Sequence, residues 1–253
     1  RPGTDVALVN AMMNVIIEEN LLDKDFVERR TEDFEKAAEA IRENTPEMAE
    51  KITTVPAEAI RQAARMFATA ETACIVFSMG ITQHTTGTDN VLSLANLAMM
   101  TGNLGKESAG VNPLRGQNNV QGACDLGALP NVYPGYQPVE DAAIRAKFEK
   151  AWATKLPAKN GLTVVEIFHA IEDGSVRALY LMGENPALSD PNLNRTRKAL
   201  EKVEFMVSQD VFLSESGQYA DVVLPAFSFA EKDGTFTNTE RRVQRVRKAV
   251  RPP

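Results

Sequence analysis

Apolar side chains in the first 70 residues recur at helical spacing. Val6, Val9 and Met13 fall on one side of a predicted helix whose first free N–H groups can be accepted by Thr4 or Asp5. The same reasoning predicts further helices over residues 32–44, from the cap and proline at 45–46, and over residues 56–71. The chain therefore begins with a helical region.

The hydrophobic pattern changes at residue 73. Residues 73–79 form a short, continuously apolar run, which predicts a strand buried on both faces, with Cys74 in the packed core and Gly80 at its end. The pattern then predicts, in order, a helix over 88–101, a loop-rich stretch over 102–135 with a short helix at 120–128, and a turn at 133–136.

Strands alternate with helices in the second half. The predicted helices cover residues 142–153, 164–171 and 194–202, and the predicted strands cover residues 176–182, 203–207 and 221–224. This order favours a parallel sheet with right-handed crossovers. We therefore predict the α/β class, with doubly wound, parallel-sheet domains that carry helices on both faces. Two domains are expected: a helix-rich α/β domain over 1–117 and a second α/β domain over 118–253.

Composition narrows the possible partners. A net charge of -6 disfavours a nucleic-acid backbone as the main partner. A helix needs about 20 apolar residues to span a bilayer, and every apolar run in this sequence is far shorter. Two Cys and two His cannot by themselves supply a four-ligand zinc site or a thiolate-bound iron–sulfur cluster. The chain begins at Arg1 without a methionine, so we expect it to be a piece of a longer protein.

Polar clusters follow three of the predicted strands. They are Gly80 with Gln83, His84 and three threonines, then Gly183-Glu184-Asn185-Pro186 with Ser189 and Asp190, and last Ser208-Gln209-Asp210. Each alone is typical of a turn. Because ligands of parallel sheets lie beyond the carboxyl ends of strands, the three together predict a nucleotide-sized ligand. None has the G-x-G-x-x-G spacing, so ordinary NAD binding is not supported. For His84, a structural hydrogen bond is favoured over a catalytic role.

Residues 110–122 form an amide-rich loop around one arginine, Arg115. Gln117, Asn118, Asn119 and Gln121 supply four amides within five residues. Amides offer donors and acceptors together and suit a heterocycle such as a pterin or guanine, while a guanidinium can hold a small carboxylate by two hydrogen bonds. In the alternative interpretation, Asn118 and Asn119 cap the following helix and Arg115 is a solvated charge. The residues alone leave both interpretations open.

Four segments resemble one enzyme family. They are Met-Gly-Ile-Thr-Gln at 79–83, Leu-Ala-Met-Met-Thr-Gly-Asn-Leu-Gly at 97–105, the stretch from Asn112 to Asp125, and Ala-Asp-Val-Val-Leu-Pro at 220–225. The chain resembles the catalytic subunit of molybdenum- or tungsten-dependent formate dehydrogenases. The last segment recurs across the bis(molybdopterin guanine dinucleotide) oxidoreductases, which include dimethyl sulfoxide reductase, whereas residues 115–125 with the Tyr-Pro-Gly-Tyr at 133–136 are typical of the formate branch.

The resemblance implies a Mo or W ion held by two pterin dithiolenes and one Cys or selenocysteine, with an Fe4S4 cluster nearby. Formate is oxidised to carbon dioxide in that family, and Arg115 matches the arginine that holds its carboxylate. The first domain would then carry the substrate arginine, and the second would bind the guanine dinucleotide. Eleven residues match positions around the cofactor: Met79, Gly80, Gln83, Gln117, Asn118, Gly183, Glu184, Asn185, Ser189, Gln209 and Asp210.

Several family elements have no counterpart in this chain. These are the cluster-binding cysteines, the metal-ligating residue with its adjacent His, and the C-terminal pterin-capping domain. The implied partners are formate, the missing N- and C-terminal portions of the same subunit, and electron-transfer subunits, and the cluster would lie in the N-terminal part. A cytoplasmic location is expected, and the isolated chain is expected not to oxidise formate. Two alternatives are another molybdopterin oxidoreductase, acting on nitrate or another oxyanion, and a metal-free electron-transfer scaffold of a respiratory complex.

Overall fold

The computed structural model describes residues 1–252. The chain divides into two compact units, Arg1–Gly116 and a second that starts at Gln117, one residue from the predicted boundary. The first unit contains α1 (Asp5–Glu18), α2 (Lys24–Arg30), α3 (Phe34–Ile41), α4 (Pro46–Thr53), α5 (Ala57–Thr69), β1 (Cys74–Phe77), α6 (Met79–Thr82), α7 (Gly87–Met100) and β2 (Gly110–Pro113).

Helix α1 lies at the centre of the first unit. It packs against α4, α5 and α7, and its side chains Ala11, Met13 and Ile16 are almost wholly buried. The predicted cap of α4 is confirmed, because the Thr45 hydroxyl accepts the Met48 N–H and Pro46 is the first helical residue. This helical layer supplies the surface on which the two strands of the unit lie.

Strands β1 and β2 pair in parallel, with Cys74 opposite Gly110 and Phe77 opposite Pro113. The prediction that residues 73–79 are a strand buried on both faces is wrong. Ile75 and Phe77 face the helical core, whereas Cys74 and Val76 point the other way and are exposed. An unbroken apolar run does not say which face is covered, and the described part of this unit supplies helices on one face only.

The second unit contains α8 (Val120–Asp125), β3 (Val132–Tyr133), β4 (Gln137–Pro138), α9 (Ala142–Trp152), α10 (Val164–Glu172), β5 (Ala178–Met182), α11 (Pro186–Ser189), α12 (Leu193–Leu200), β6 (Phe205–Asp210), β7 (Val222–Pro225), β8 (Gly234–Thr237) and β9 (Val243–Val246), with 3-10 turns at Ser216–Tyr219 and Phe229–Glu231. The predicted turn at 133–136 joins β3 and β4, which pair antiparallel. Strands β8 and β9 form a second antiparallel hairpin. None of the helices described in residues 1–252 is both long and apolar enough to cross a bilayer.

The predicted parallel sheet of the second unit is confirmed, with strand order β5-β6-β7 and all pairs parallel. Residues Leu179, Leu181 and Met206 pack against α10 and α12 in one apolar core. Strand β6 extends three residues beyond the predicted 203–207, because its pairing with β7 continues to Asp210 opposite Pro225.

The other face of this sheet is open. Tyr180 and Met182 on β5 are 53% and 65% exposed, and Phe205 and Val222 on the neighbouring strands are also exposed. The α/β class with parallel sheets is confirmed. The expected helices on both faces are not found among residues 1–252, because α10 and α12 pack on the same side of the sheet.

Candidate substrate and cofactor site

Arg115 lies two residues after the end of β2, and the parallel pairing of β1 and β2 places it near the residues that follow β1. The Leu114 N–H donates to the Phe77 carbonyl at 2.7 Å, and the Ser78 hydroxyl donates to the Leu114 carbonyl at 2.9 Å. These two bonds join the residues that leave each strand. The first unit therefore brings Arg115 to the same sheet edge as Met79 and Gly80, which is the edge where ligands of parallel sheets lie.

The Arg115 side chain is exposed and has no carboxylate partner within the described residues. A methyl group placed on Gly116 or Gly80 would meet nothing within 4 Å, so the backbone on both sides of this edge is open. An accessible guanidinium beside open backbone can receive a small anion by two parallel hydrogen bonds. A solvated surface arginine would also be exposed, so the substrate role of Arg115 stays a prediction.

Met79 and Gly80 belong to one short helical turn, α6, and Gln83 follows its last residue, where the sequence predicted a strand end and a loop. The Gln83 amide donates to the Met79 sulfur at 3.4 Å, and His84 Nε2 lies 2.8 Å from the Gly80 carbonyl oxygen. The turn is closed by a backbone bond, in which the Gln83 N–H donates to the Met79 carbonyl at 2.9 Å. The bond of His84 to a main-chain carbonyl agrees with the structural role expected for it.

The four amides of the amide-rich loop divide into two pairs. Gln117 and Asn118 are exposed. Gln121 donates to Asp125 and to the Tyr136 hydroxyl at 2.9 and 3.0 Å, and Asn119 accepts the Thr237 N–H at 3.0 Å. The alternative that Asn119 caps α8 through its side chain is wrong, since no capping bond forms. Gln117 and Asn118 are therefore the two of these four residues whose side-chain amides form no hydrogen bond within residues 1–252.

Gly183 and Gln209 meet at the carboxyl edge of the three-stranded sheet. The Gly183 N–H donates to the Gln209 carbonyl at 2.9 Å, and the Tyr180 hydroxyl donates to the Gln209 side-chain oxygen at 2.7 Å. Gly183 has φ +65°, a left-handed conformation that glycine adopts without strain. Asp210, the next residue on β6, accepts the Val211 N–H at 2.6 Å. The second and third strand-end clusters therefore lie side by side, as predicted.

Asn185 uses both the oxygen and the nitrogen of its side chain in hydrogen bonds within the protein. Its side-chain oxygen accepts from the Ser216 N–H and hydroxyl, and its nitrogen donates to Glu215 at 2.7 Å. This donated bond is the main reason that the pKa of Glu215 is lowered. The Ser189 hydroxyl donates to the Asn185 carbonyl at 3.1 Å. Asn185 thus connects the loop after β5 to the 3-10 turn after β6.

Sequence reasoning missed Glu215 and Ser216 as part of this arrangement. The polar run Ser214-Glu215-Ser216 after three apolar residues was the available signal. Glu184 and Asp210 were the two candidates for pairing with guanine. Glu184 is exposed and Asp210 is half-buried, and both lie at the same sheet edge.

The open donors and acceptors at these edges fit the polar parts of a pterin guanine dinucleotide. Gln117 and Asn118 present exposed amides, Glu184 presents an exposed carboxylate, and a methyl group placed on Gly183 would meet nothing within 4 Å. Residues 1–252 contain no group of three or more His, Cys, Asp or Glu side chains arranged to hold a metal ion. The described residues therefore fit the organic part of such a cofactor.

The family model for molybdopterin oxidoreductase matches residues 1–253. This chain belongs to that family. It is 58% identical over 253 residues to the F420-dependent formate dehydrogenase subunit alpha of Methanocaldococcus jannaschii, covering all of this chain and 37% of that protein. It is 53% identical over 251 residues to formate dehydrogenase H of Escherichia coli, covering 99% of this chain and 35% of the relative.

The fold has a solved counterpart in acetylene hydratase from Pelobacter acetylenicus. The TM-score is 0.76 at 24% identity, and the match covers 100% of this chain and 37% of that structure. At this identity the likeness concerns the fold. The chain spans little more than a third of the length of the relatives that it matches.

Proposed function

We propose that this chain is the part of a formate dehydrogenase catalytic subunit that holds formate and part of a molybdopterin cofactor. The observation that carries the proposal is the accessible guanidinium of Arg115 at the carboxyl edge of β1 and β2, beside the open backbone of Gly80 and Gly116. The identity of 58% and 53% to formate dehydrogenase subunits supports formate as the substrate.

Arg115 binds and orients formate in this proposal. Two parallel N–H groups of a guanidinium match the two oxygens of a carboxylate. Because formate is planar and its C–H bond lies opposite the two oxygens, this pairing directs the C–H bond away from Arg115. The arginine thereby fixes which end of the substrate reaches the redox centre.

Gln117 and Asn118 bind the pterin, and Gly183, Glu184, Gln209 and Asp210 form the edge that receives the guanine dinucleotide. Met79, Gly80 and Gln83 contribute to the cofactor site from the turn that follows β1, and Ser189 and Asn185 hold the loop after β5 in place. The bound cofactor, a bis(molybdopterin guanine dinucleotide) with Mo or W, supplies the two-electron chemistry by which formate becomes carbon dioxide and a proton. An Fe4S4 cluster outside this chain takes the electrons onward.

The remainder of a longer catalytic subunit is the first partner in this proposal. Parallel sheets are normally covered on both faces. The exposed faces around Val76 in the first unit and Tyr180 in the second are therefore assigned to segments of that longer subunit. The subunit works with electron-transfer subunits in the cytoplasm.

Kinetics of the complete catalytic subunit test the role of Arg115. Arg115→Lys replaces a guanidinium that has two parallel N–H donors by a compact ammonium group, so one charge-assisted hydrogen bond to formate is lost. KM for formate should therefore rise about 10-fold or more, while molybdopterin content stays near that of the wild type. Arg177→Lys is the matched control, because Arg177 pairs with Glu204 at the start of β5 and β6. Unchanged KM in Arg115→Lys would remove this residue from the substrate site.

A further inference from the structure

Asn119 joins two parts of the second unit that are far apart in the chain. Its side-chain oxygen accepts the backbone N–H of Thr237 at 3.0 Å, across 118 positions of sequence. Thr237 is the last residue of β8 and is 8% exposed, so this bond is largely shielded from water. A shielded bond to a main-chain N–H is costly to leave unmade.

Gly122 makes room for this side chain. A methyl group added to Gly122 would lie 2.2 Å from the side-chain oxygen of Asn119. Gly122 is buried within helix α8 and has an ordinary helical conformation, so its backbone needs no special freedom. The absence of a side chain at Gly122 is therefore what permits the conformation in which Asn119 reaches Thr237.

The bond between Asn119 and Thr237 lies directly after the exposed end of the amide-rich loop. Asn119 precedes α8 at the N-cap position but leaves the helix N–H groups uncapped and reaches to β8 instead. Helix α8 also packs on β8. Gln117 and Asn118, whose amides are open, are the two residues directly before this anchor. Because Asn118 and Gln117 are only one and two residues from Asn119, fixing Asn119 restricts the positions that their side chains can take.

We propose that Asn119 is a positioning residue whose bond to Thr237 fixes the positions of Gln117 and Asn118 by anchoring the residue that follows them to β8. The proposal rests on the proposed function, in which those two amides contact the pterin. In this proposal Asn119 acts through its bond to Thr237 and not through contact with the cofactor. Gly122 is part of the same arrangement, because a larger residue at this position would occupy the space that the Asn119 side chain needs.

Hydrogen exchange in the complete catalytic subunit tests the anchor without reference to turnover. In Asn119→Ala the Thr237 amide loses its acceptor, and exchange over residues 234–237 should accelerate about three- to ten-fold. Asn119→Asp keeps an acceptor oxygen and should restore protection. Gly122→Ala should reproduce the effect of Asn119→Ala, and the double variant should exchange no faster than Asn119→Ala. Asn131→Ala, at an exposed asparagine of the same unit, is the control.

The same variants test positioning through formate kinetics and molybdopterin content. We expect KM for formate to rise or cofactor content to fall about three- to ten-fold in Asn119→Ala and Gly122→Ala, with recovery in Asn119→Asp. Unchanged exchange in Asn119→Ala overturns the anchor. Faster exchange with unchanged KM and cofactor content overturns its positioning role. If Gly122→Ala accelerates exchange over residues 234–237 as much in the Asn119→Ala background as in the wild type, the two residues do not act together. Failure of the proposed function itself is seen separately, in Arg115→Lys.

Discussion

The side-chain oxygen of Asn185 accepts two hydrogen bonds from Ser216, one from its N–H at 3.0 Å and one from its hydroxyl at 2.8 Å. The same hydroxyl accepts the Ala187 N–H at 2.9 Å, and Ser216 is completely buried. One serine therefore connects the loop after β5 with the turn after β6. The two strand ends that we assign to the nucleotide are held together by this residue, which itself points inward.

Ser216→Ala should loosen the loop after β5. The substitution leaves the Ala187 N–H buried without an acceptor, which costs about 1–3 kcal/mol. Hydrogen exchange of residues 183–190 in the complete subunit should accelerate accordingly. Ser175→Ala, which removes an exposed hydroxyl bonded to Asp173, is the control and should have little effect there. Wild-type exchange in Ser216→Ala would show that the loop is held by other contacts.

Gly102→Ala should lower the stability of the protein more than an alanine substitution at a left-handed glycine that has open space around it. Gly102 has φ +62°, where a side chain costs about 1–2 kcal/mol, and the added methyl would lie 2.1 Å from the Asp23 carboxylate. Asp23 is tied down because it accepts the Phe26 N–H that opens α2. Gly174→Ala is a matched control, since Gly174 has φ +82° and open space around it. Equal losses of thermal stability in the two variants would mean that Asp23 moves aside freely.

The ion pair between Glu19 and Arg65 should make stability depend on pH in the acid range. Arg65 donates two hydrogen bonds to the Glu19 carboxylate, at 2.8 and 2.7 Å, and this contact lowers the pKa of Glu19 below 4.5. A lowered carboxyl pKa gives stability that is fully present above the unfolded value and is lost as pH falls through the folded value. The contribution should therefore begin to decline as the pH falls below 4.5 and be gone once the pH is below the lowered pKa of folded Glu19.

Thermal midpoints of Glu19→Gln test this sign. The variant should melt below the wild type near neutral pH, and the two curves should converge as pH falls below 4.5. Glu71→Gln serves as the control because Glu71 is exposed and no ion pair is found for it in residues 1–252. A difference in melting temperature that persists in acid would assign the effect of Glu19→Gln to packing.

Local patterns predicted most helices closely. The helix predicted over 88–101 is observed as Gly87–Met100, and the one predicted over 164–171 is observed as Val164–Glu172. Helix signals lie within a few residues of each other, so they can be recognised without knowing the rest of the fold. The parallel sheet could be predicted as well, because the order of strands and helices restricts the possible topologies.

Contacts between distant residues could not be predicted in this way. The burial of Val76 and Cys74 depends on whether anything covers the far side of β1, and the end of β6 depends on its partner β7. The roles of Asn119 and Asn185 follow from Thr237 and Ser216, which no spacing rule connects to them. Periodicity and motif chemistry establish the fold class and the residue types at the site, because those signals are short-range. Which amides remain open to a ligand and which are consumed internally emerges only when distant segments pack together.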